Sequence, residues 1–158
     1  MVYIITGDID QGKTSLAYSI FKSNKQGTGF LSLKMYTNNK FIGYQIFDLV
    51  ENVRQPLAYI KTAVPDDLAI EFEFSGFAFT RPGFEMASNI VNRAIEENKS
   101  PIFIDEIGPI ELFQQRGFYH LFEKLLRSES DIIVVVRNFL LQQLIETYNI
   151  KNYKQIKV

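Results

Sequence analysis

Gly7-Asp8-Ile9-Asp10-Gln11-Gly12-Lys13-Thr14 decides how the rest of this chain is read. The stretch has the form G-x-x-x-x-G-K-[ST], the pattern of a loop that wraps phosphate groups. Gly7 and Gly12 let the backbone fold into a tight concave turn that most side chains would block. The loop's N–H groups, with the positive end of the helix that follows, then point at phosphate oxygens. Lys13 reaches the outer phosphates, and the Thr14 hydroxyl is placed to hold a Mg²⁺ ion bridging them. The flanks supply the setting this chemistry needs. Val2-Tyr3-Ile4-Ile5 is a short apolar β-type run, and Leu16, Ala17, Ile20 and Phe21 recur at helical spacing after Thr14. Gly7, Asp8, Ile9, Asp10, Gln11, Gly12, Lys13, Thr14 and Ser15 are therefore the expected nucleotide-binding residues, and a nucleoside triphosphate the expected partner.

The 158 residues, 46% of them hydrophobic, suit one domain with a sizeable core, expected to span 1–158. A formal net charge of -1 argues against a general nucleic-acid or anionic-membrane surface. No cysteine and a single histidine exclude a disulfide framework and a Cys- or His-rich metal site. His120, between Tyr119 and Leu121, reads as structural or exposed. No apolar stretch approaches the roughly 20 residues of a membrane span, and the first apolar run lacks a signal peptide's basic flank. A soluble, cytoplasmic protein is the expectation.

Asn24 to Gly29 reads as a helix stop and loop, with Gly27 as the expected cap. Two strands, Phe30–Thr37 and Phe41–Leu49, flank a hairpin turn at Asn38-Asn39. Leu57–Thr62 and Ala69–Phe74 read as further strands about Pro65-Asp66-Asp67. Their spacing is too short for βαβ crossovers, which predicts an antiparallel meander, a β-rich insertion over 30–75. Phe72, Phe74, Phe77 and Phe79 read as a buried sheet face, with a base-stacking platform as the alternative. A helix is expected from Pro82, with Thr80 as its cap and an apolar face of Phe84, Ala87, Val91, Ala94 and Ile95. A buried strand follows at Pro101–Ile104, a break at Gly108-Pro109, and a helix through Phe118, Leu121, Phe122, Leu125 and Leu126. Asp131–Val136 is the next strand, Leu140–Tyr148 a last helix and Tyr153–Val158 a closing strand. The pattern predicts an α/β fold of the P-loop type: a mainly parallel core sheet flanked by helices, with added antiparallel strands.

The loop needs a carboxylate at the end of a buried strand to complete a Mg²⁺ shell. Ile102-Phe103-Ile104-Asp105-Glu106 supplies it, because ligands of open α/β sheets bind at the carboxyl ends of strands. Asp105 is the candidate metal ligand beside Thr14, and Glu106 the candidate that orients or deprotonates an attacking water. Glu106 beside Asp105 tilts the reading from kinase to hydrolase. A small-molecule or nucleotide kinase and a nucleotide-dependent switch or adaptor are the alternatives. Arg81, at a loop-to-helix junction, is a candidate for approaching the phosphates, with a solvated helix-start arginine as the other reading. Arg116 has only its loop position in its favour.

Asp105-Glu106-Ile107-Gly108-Pro109-Ile110-Glu111-Leu112, behind the Gly7–Thr14 loop, resembles the signature of a small nucleoside-triphosphatase family described as thermophile-type or cancer-related NTPases. Met35-Tyr36-Thr37 followed by Ile42-Gly43-Tyr44 is similar to that family's post-loop hairpin. The resemblance implies one P-loop domain with an extra core strand between the two motif strands. It implies Mg²⁺-dependent hydrolysis of ATP, GTP and other nucleoside triphosphates to the diphosphate. It also identifies Asp131–Val136 as the extra strand, with Arg137 and Asn138 past its end as candidate γ-phosphate sensors. Glu111 recurs in the signature, and its other reading is a helix-start acid. The family's loop usually carries another glycine where this chain has Asp10, and Asp8 adds a second acid. Two carboxylates beside a polyphosphate are unfavourable unless they point outward.

Overall fold

The computed structural model describes residues 1–158. In chain order its elements are β1 (Val2–Gly7), α1 (Lys13–Ser23), β2 (Thr28–Thr37), β3 (Lys40–Asp48), β4 (Arg54–Ile60), β5 (Ile70–Phe74), β6 (Phe77–Thr80) and α2 (Arg81–Glu96). They continue as β7 (Ile102–Ile104), α3 (Pro109–Gln114), α4 (Tyr119–Leu126), β8 (Ile132–Arg137), α5 (Leu141–Tyr148) and β9 (Tyr153–Lys157). All nine strands join one sheet in the order β5-β6-β4-β3-β2-β7-β8-β1-β9. From β2 to β9 neighbours run parallel, and from β2 to β5 they run antiparallel. β8 lies between β1 and β7, so one strand separates the loop strand from the Asp-Glu strand.

Strand periodicity sends consecutive side chains to opposite faces. Ile4, Phe30, Ile46 and Ile102 face the larger core, with Ala87 and Val91 of α2, Phe122 and Leu125 of α4 and Leu144 of α5. Their neighbours Ile5, Leu31, Phe47 and Phe103 face a smaller core against Ala17 of α1. Phe122 is wholly buried, and its truncation to alanine carries the cost of such sites, about 3–5 kcal/mol. No helix is long and apolar enough to cross a membrane. The His120 side chain is exposed, with Nδ1 3.5 Å from Glu123.

Local signals account for several elements. Asn38 and Asn39 hold φ of 51° and 61°, the left-handed pair of a two-residue hairpin between β2 and β3. Thr80 caps α2, its Oγ1 accepting the Gly83 N–H at 3.0 Å while donating to the Pro56 carbonyl at 2.7 Å.

Four expectations are corrected. The first helix stops at Asn24, whose N–H returns to the Ile20 and Phe21 carbonyls, and Gly27 is not its cap. Gly27 instead makes room for a ring, because a Cβ there would lie 2.9 Å from Phe103 Cε2. The meander is interrupted, since β6 turns back at Ser75-Gly76 and inserts between β4 and β5. The boundary at 30–75 also shifts: β2 starts at Thr28 and pairs parallel with β7, so it is a core strand, and the antiparallel addition runs on to Thr80. Finally, Gly108-Pro109 starts α3, with Gly108 as N-cap and proline in the first turn, where its missing N–H costs nothing.

Candidate functional site

Register brings the two motifs together. Gly7 at the end of β1 lies opposite Arg137 at the end of β8, and Ile104 of β7 lies opposite Val134. Asp105 and Glu106 therefore leave β7 at the same sheet edge as the loop. The loop's residues are constrained in different ways. Gly12 holds φ 89° with open space around it, so its constraint is conformational. A Cβ on Gly7 would lie 3.1 Å from Lys13 Cγ, so its constraint is space for the lysine stem. Asp10 holds φ 59°, a left-handed conformation that suits glycine and that aspartate tolerates. That conformation reconciles Asp10 with a position where the resembling family carries glycine.

Both loop acids have partners. Asp8 Oδ1 accepts from Asn138 Nδ2 at 3.2 Å, and Asp10 Oδ1 pairs with Lys34 Nζ of β2 at 2.6 Å. The hydrogen bond from Lys34, with its charge, holds the Asp10 carboxyl below the usual carboxylate range. Lys13 Nζ donates back across its own loop to the Asp8 carbonyl.

Thr14 Oγ1 donates to Asp105 Oδ2 at 2.9 Å, and the Ser32 N–H of β2 donates to the same oxygen at 3.0 Å. Asp105 is 2% exposed, and burial, reinforced by the Glu106 charge, pushes its carboxyl up to about 7. A nearby divalent cation reverses that penalty. Thr14 and Asp105 supply hard oxygen donors, and no cluster of three acids or histidines adds to them. The set fits Mg²⁺ that arrives with a polyphosphate, since this ion keeps water and phosphate ligands and takes one or two carboxylates.

Glu106 holds φ 70°, a sparsely populated region for a bulky residue and a form of strain common at functional sites. Its Oε1 accepts from Arg137 Nη2 at 3.0 Å and Nε at 3.1 Å. The loop from Ile9 to Ser15, with Ser32, Lys34, Tyr44, Asp105, Glu106 and Arg137, encloses a cleft of about 370 Å³. Ser32 and Lys34 carry no signal in the sequence, and Tyr44 appears there only within the hairpin resemblance. Ser32 acts through its backbone, and the other two reach the cleft only through the β2–β3 hairpin.

Arg81 is not part of this cleft. Its Nε binds Glu71 Oε2 at 2.9 Å on the exposed surface, in a separate depression shared with Arg116. The Arg116 guanidinium lies 4.1 Å from the centre of the Phe72 ring. Glu111 is 5% exposed, with Oε2 accepting the Gly108 N–H at 2.9 Å and Oε1 the Phe118 N–H at 3.0 Å. It closes the α3 loop on itself, the structural one of its two readings. Burial pushes its carboxyl up to about 7 against those two hydrogen bonds.

A mixed sheet whose parallel half carries a phosphate-type loop at one strand end and an Asp-Glu pair two strands across is the architecture of a P-loop nucleotide-binding protein. Comparison with known proteins narrows the class. The chain belongs to the NTPase family, whose model matches residues 2–158. It is 29% identical over 137 residues to nucleoside-triphosphatase THEP1 of Thermotoga sp. (strain RQ2), covering 87% of this chain and 74% of that protein. Its fold is similar to the crystal structure of THEP1 from the hyperthermophile Aquifex aeolicus, with TM-score 0.76, 23% identity and 99% and 89% of the two chains covered. A human cancer-related nucleoside triphosphatase solved in solution has TM-score 0.71, 23% identity and 99% and 87% coverage.

Proposed function

We propose that this protein hydrolyses nucleoside triphosphates, ATP and GTP among them, to the diphosphate and phosphate in a Mg²⁺-dependent reaction carried by one domain, residues 1–158. The observation that carries the reading is the Thr14–Asp105 hydrogen bond of 2.9 Å, which ties the phosphate loop to the Asp-Glu strand. The loop from Gly7 to Ser15 cradles the phosphates with backbone N–H groups, and Lys13 leaves the Asp8 carbonyl to meet the β and γ oxygens. Thr14 and Asp105 would hold Mg²⁺, which would supply charge neutralisation at the polyphosphate.

Glu106 orients the attacking water and takes its proton as the water oxygen bonds to the γ phosphorus. The bond to the β–γ bridging oxygen breaks, and its electron pair leaves with the diphosphate. Arg137, beside Glu106, turns to the γ oxygens as negative charge builds there. Support for hydrolysis over transfer comes from Glu106 next to Asp105 and from the family. Phosphate release from a panel of triphosphates, with and without Mg²⁺ and with nucleoside or monophosphate acceptors added, tests the proposal. Release that needs Mg²⁺ and ignores acceptors is expected. Transfer to an acceptor without free phosphate would establish a kinase, and binding without turnover a switch.

A further inference from the structure

Beyond Glu106, a second cavity of about 180 Å³ opens beside the phosphate cleft. Its walls carry Tyr44, Phe74, Phe77, Phe79, Phe84 and Phe118. Tyr44, Phe74, Phe77 and Phe79 remain partly exposed, while Phe79 and Phe84 also pack against the larger core. Tyr44 and Phe77 sit 5.7 Å apart at 48° and Phe77 meets Phe79 edge-on at 6.5 Å and 61°, while Phe79 is stacked on Phe72 at 5.1 Å and on Phe84 at 6.0 Å. The floor is polar: Glu106 and Arg137 are its partly exposed charged groups, with the buried carboxyls of Asp105 and Glu111 behind them. Arg137 occupies only Oε1 of Glu106, which leaves the other carboxylate oxygen for a ligand.

We propose that this cavity is a second ligand site, for a single aromatic ring bearing a cationic amine, with the ring among Tyr44, Phe77 and Phe79 and the amine at Glu106. Size, shape and charge each support that occupant. An apolar cavity of about 150 Å³ accepts one benzene ring. Faces of tyrosine and phenylalanine attract a cation through the ring quadrupole. Glu106 keeps one carboxylate oxygen clear of Arg137, which is the anionic point an amine needs, while Asp105 and Glu111 are buried and already hydrogen-bonded. On the proposed hydrolase reading, on which this orientation rests, Lys13, Thr14 and Asp105 hold the β and γ end of the substrate on the loop side of Glu106. An amine on Glu106 engages the water-activating carboxylate and lowers turnover without displacing the nucleotide.

The test titrates the full chain, free of nucleotide, with benzylamine, benzyl alcohol and benzoate, three probes of one ring size and different charge. Ligand-observed NMR is expected to rank benzylamine about tenfold above benzyl alcohol, the scale of one cation–π or charge contact, with benzoate weakest. Phe77→Leu, which removes a partly exposed ring while keeping an apolar side chain, is expected to weaken benzylamine several-fold with an unchanged melting curve. Phe74→Leu serves as the second wall variant. Glu106→Gln is expected to erase the preference for amine over alcohol. Lys13→Ala is expected to leave benzylamine binding intact while triphosphate binding falls, so loss of the hydrolase reading and loss of this site give different results. Saturating benzylamine is expected to lower kcat with little change in KM. Equal affinity for the three probes, or benzylamine binding indifferent to both wall variants, would overturn the proposal.

Discussion

Arg137 and Glu106 face each other across the ends of β8 and β7, with both Nη2 and Nε of the guanidinium directed at one carboxylate oxygen, at 3.0 and 3.1 Å. The side chains are 30% and 33% exposed, so water screens the pair and little is lost when it opens. A γ-phosphate offers the guanidinium a partner of higher charge. On the proposed mechanism, movement of Arg137 to that partner would release Glu106 for the water, and the pair would be a resting state that holds the proposed base until a triphosphate arrives.

Glu106→Gln keeps the size and much of the hydrogen bonding of the side chain and removes the base. Phosphate release is expected to fall by roughly 10²–10⁴, the usual scale of general-base catalysis. Triphosphate affinity should hold or tighten slightly, because one negative charge leaves the neighbourhood of the γ-phosphate. Paired measurements of nucleotide Kd and single-turnover release decide it, and near wild-type turnover would remove Glu106 from the mechanism.

Arg137→Ala is expected to lower kcat far more than it changes nucleotide Kd. Arginines that meet transferring phosphoryl groups contribute roughly 10³–10⁵ in rate. Arg137→Lys should recover little, since an ammonium cannot reproduce the planar fork of a guanidinium. Arg81→Ala, whose partner Glu71 lies on the edge strand β5, should leave both constants unchanged. A matching loss in both variants would contradict the geometry.

The local part of this design was legible in the residues. β1, the loop and α1 form one continuous stretch with a fixed pattern, and the Asp-Glu pair ends a run of three buried apolar residues. Thr80 and Pro82 announced α2 for the same reason: a cap acts within one turn. What failed was non-local. β6 has four residues and pairs on one side with β4, so nothing within it declares where it sits. Lys34 meets Asp10 only because β2 runs parallel to β7 at the loop's height. A helix-start position does not fix which way a side chain turns, so Arg81 carried two readings in the sequence, and its surface pairing with Glu71 agrees with the solvated one. The aromatic run was expected to be buried, and Phe72, Phe74, Phe77 and Phe79 instead stay partly exposed.

Glu111 gives the fold a pH dependence of definite sign. Its carboxyl moves from an ordinary value of 4.5 to about 7 in the folded chain, so the native state binds a proton more tightly. The stabilisation is full below about pH 4.5 and is lost as pH rises through about 7, with an amplitude of about 3 kcal/mol. Glu106 adds to this shift through its charge, the Gly108 and Phe118 N–H groups oppose it, and the Tyr148 hydroxyl is itself pushed up by burial and then by the Glu111 charge. Asp105 shifts the same way in the metal-free protein. Urea unfolding at pH 5 and pH 8 should show a steeper loss in wild type than in Glu111→Gln. Parallel slopes would mean that Glu111 is ionised throughout this range.

The Asp10–Lys34 pair answers how a phosphate loop tolerates an acid, and a double-mutant cycle on nucleotide affinity tests the answer. Lys34→Met leaves the Asp10 carboxylate uncompensated beside the polyphosphate. Triphosphate binding should weaken by roughly two- to fivefold, the scale of an exposed charge pair. Asp10→Gly removes the acid at a left-handed position that glycine adopts freely. Binding should tighten by a similar factor. With Asp10 already glycine, no carboxylate remains for Lys34 to compensate, so Lys34→Met should cost less than it does in the wild type, and that difference is the coupling of the pair. Both single effects should shrink as salt is raised, because the groups are exposed and screened. Melting temperatures should not move in any of the three. If Lys34→Met alone leaves triphosphate affinity unchanged at low salt, Asp10 already points clear of the phosphates and the pair has no part in binding them.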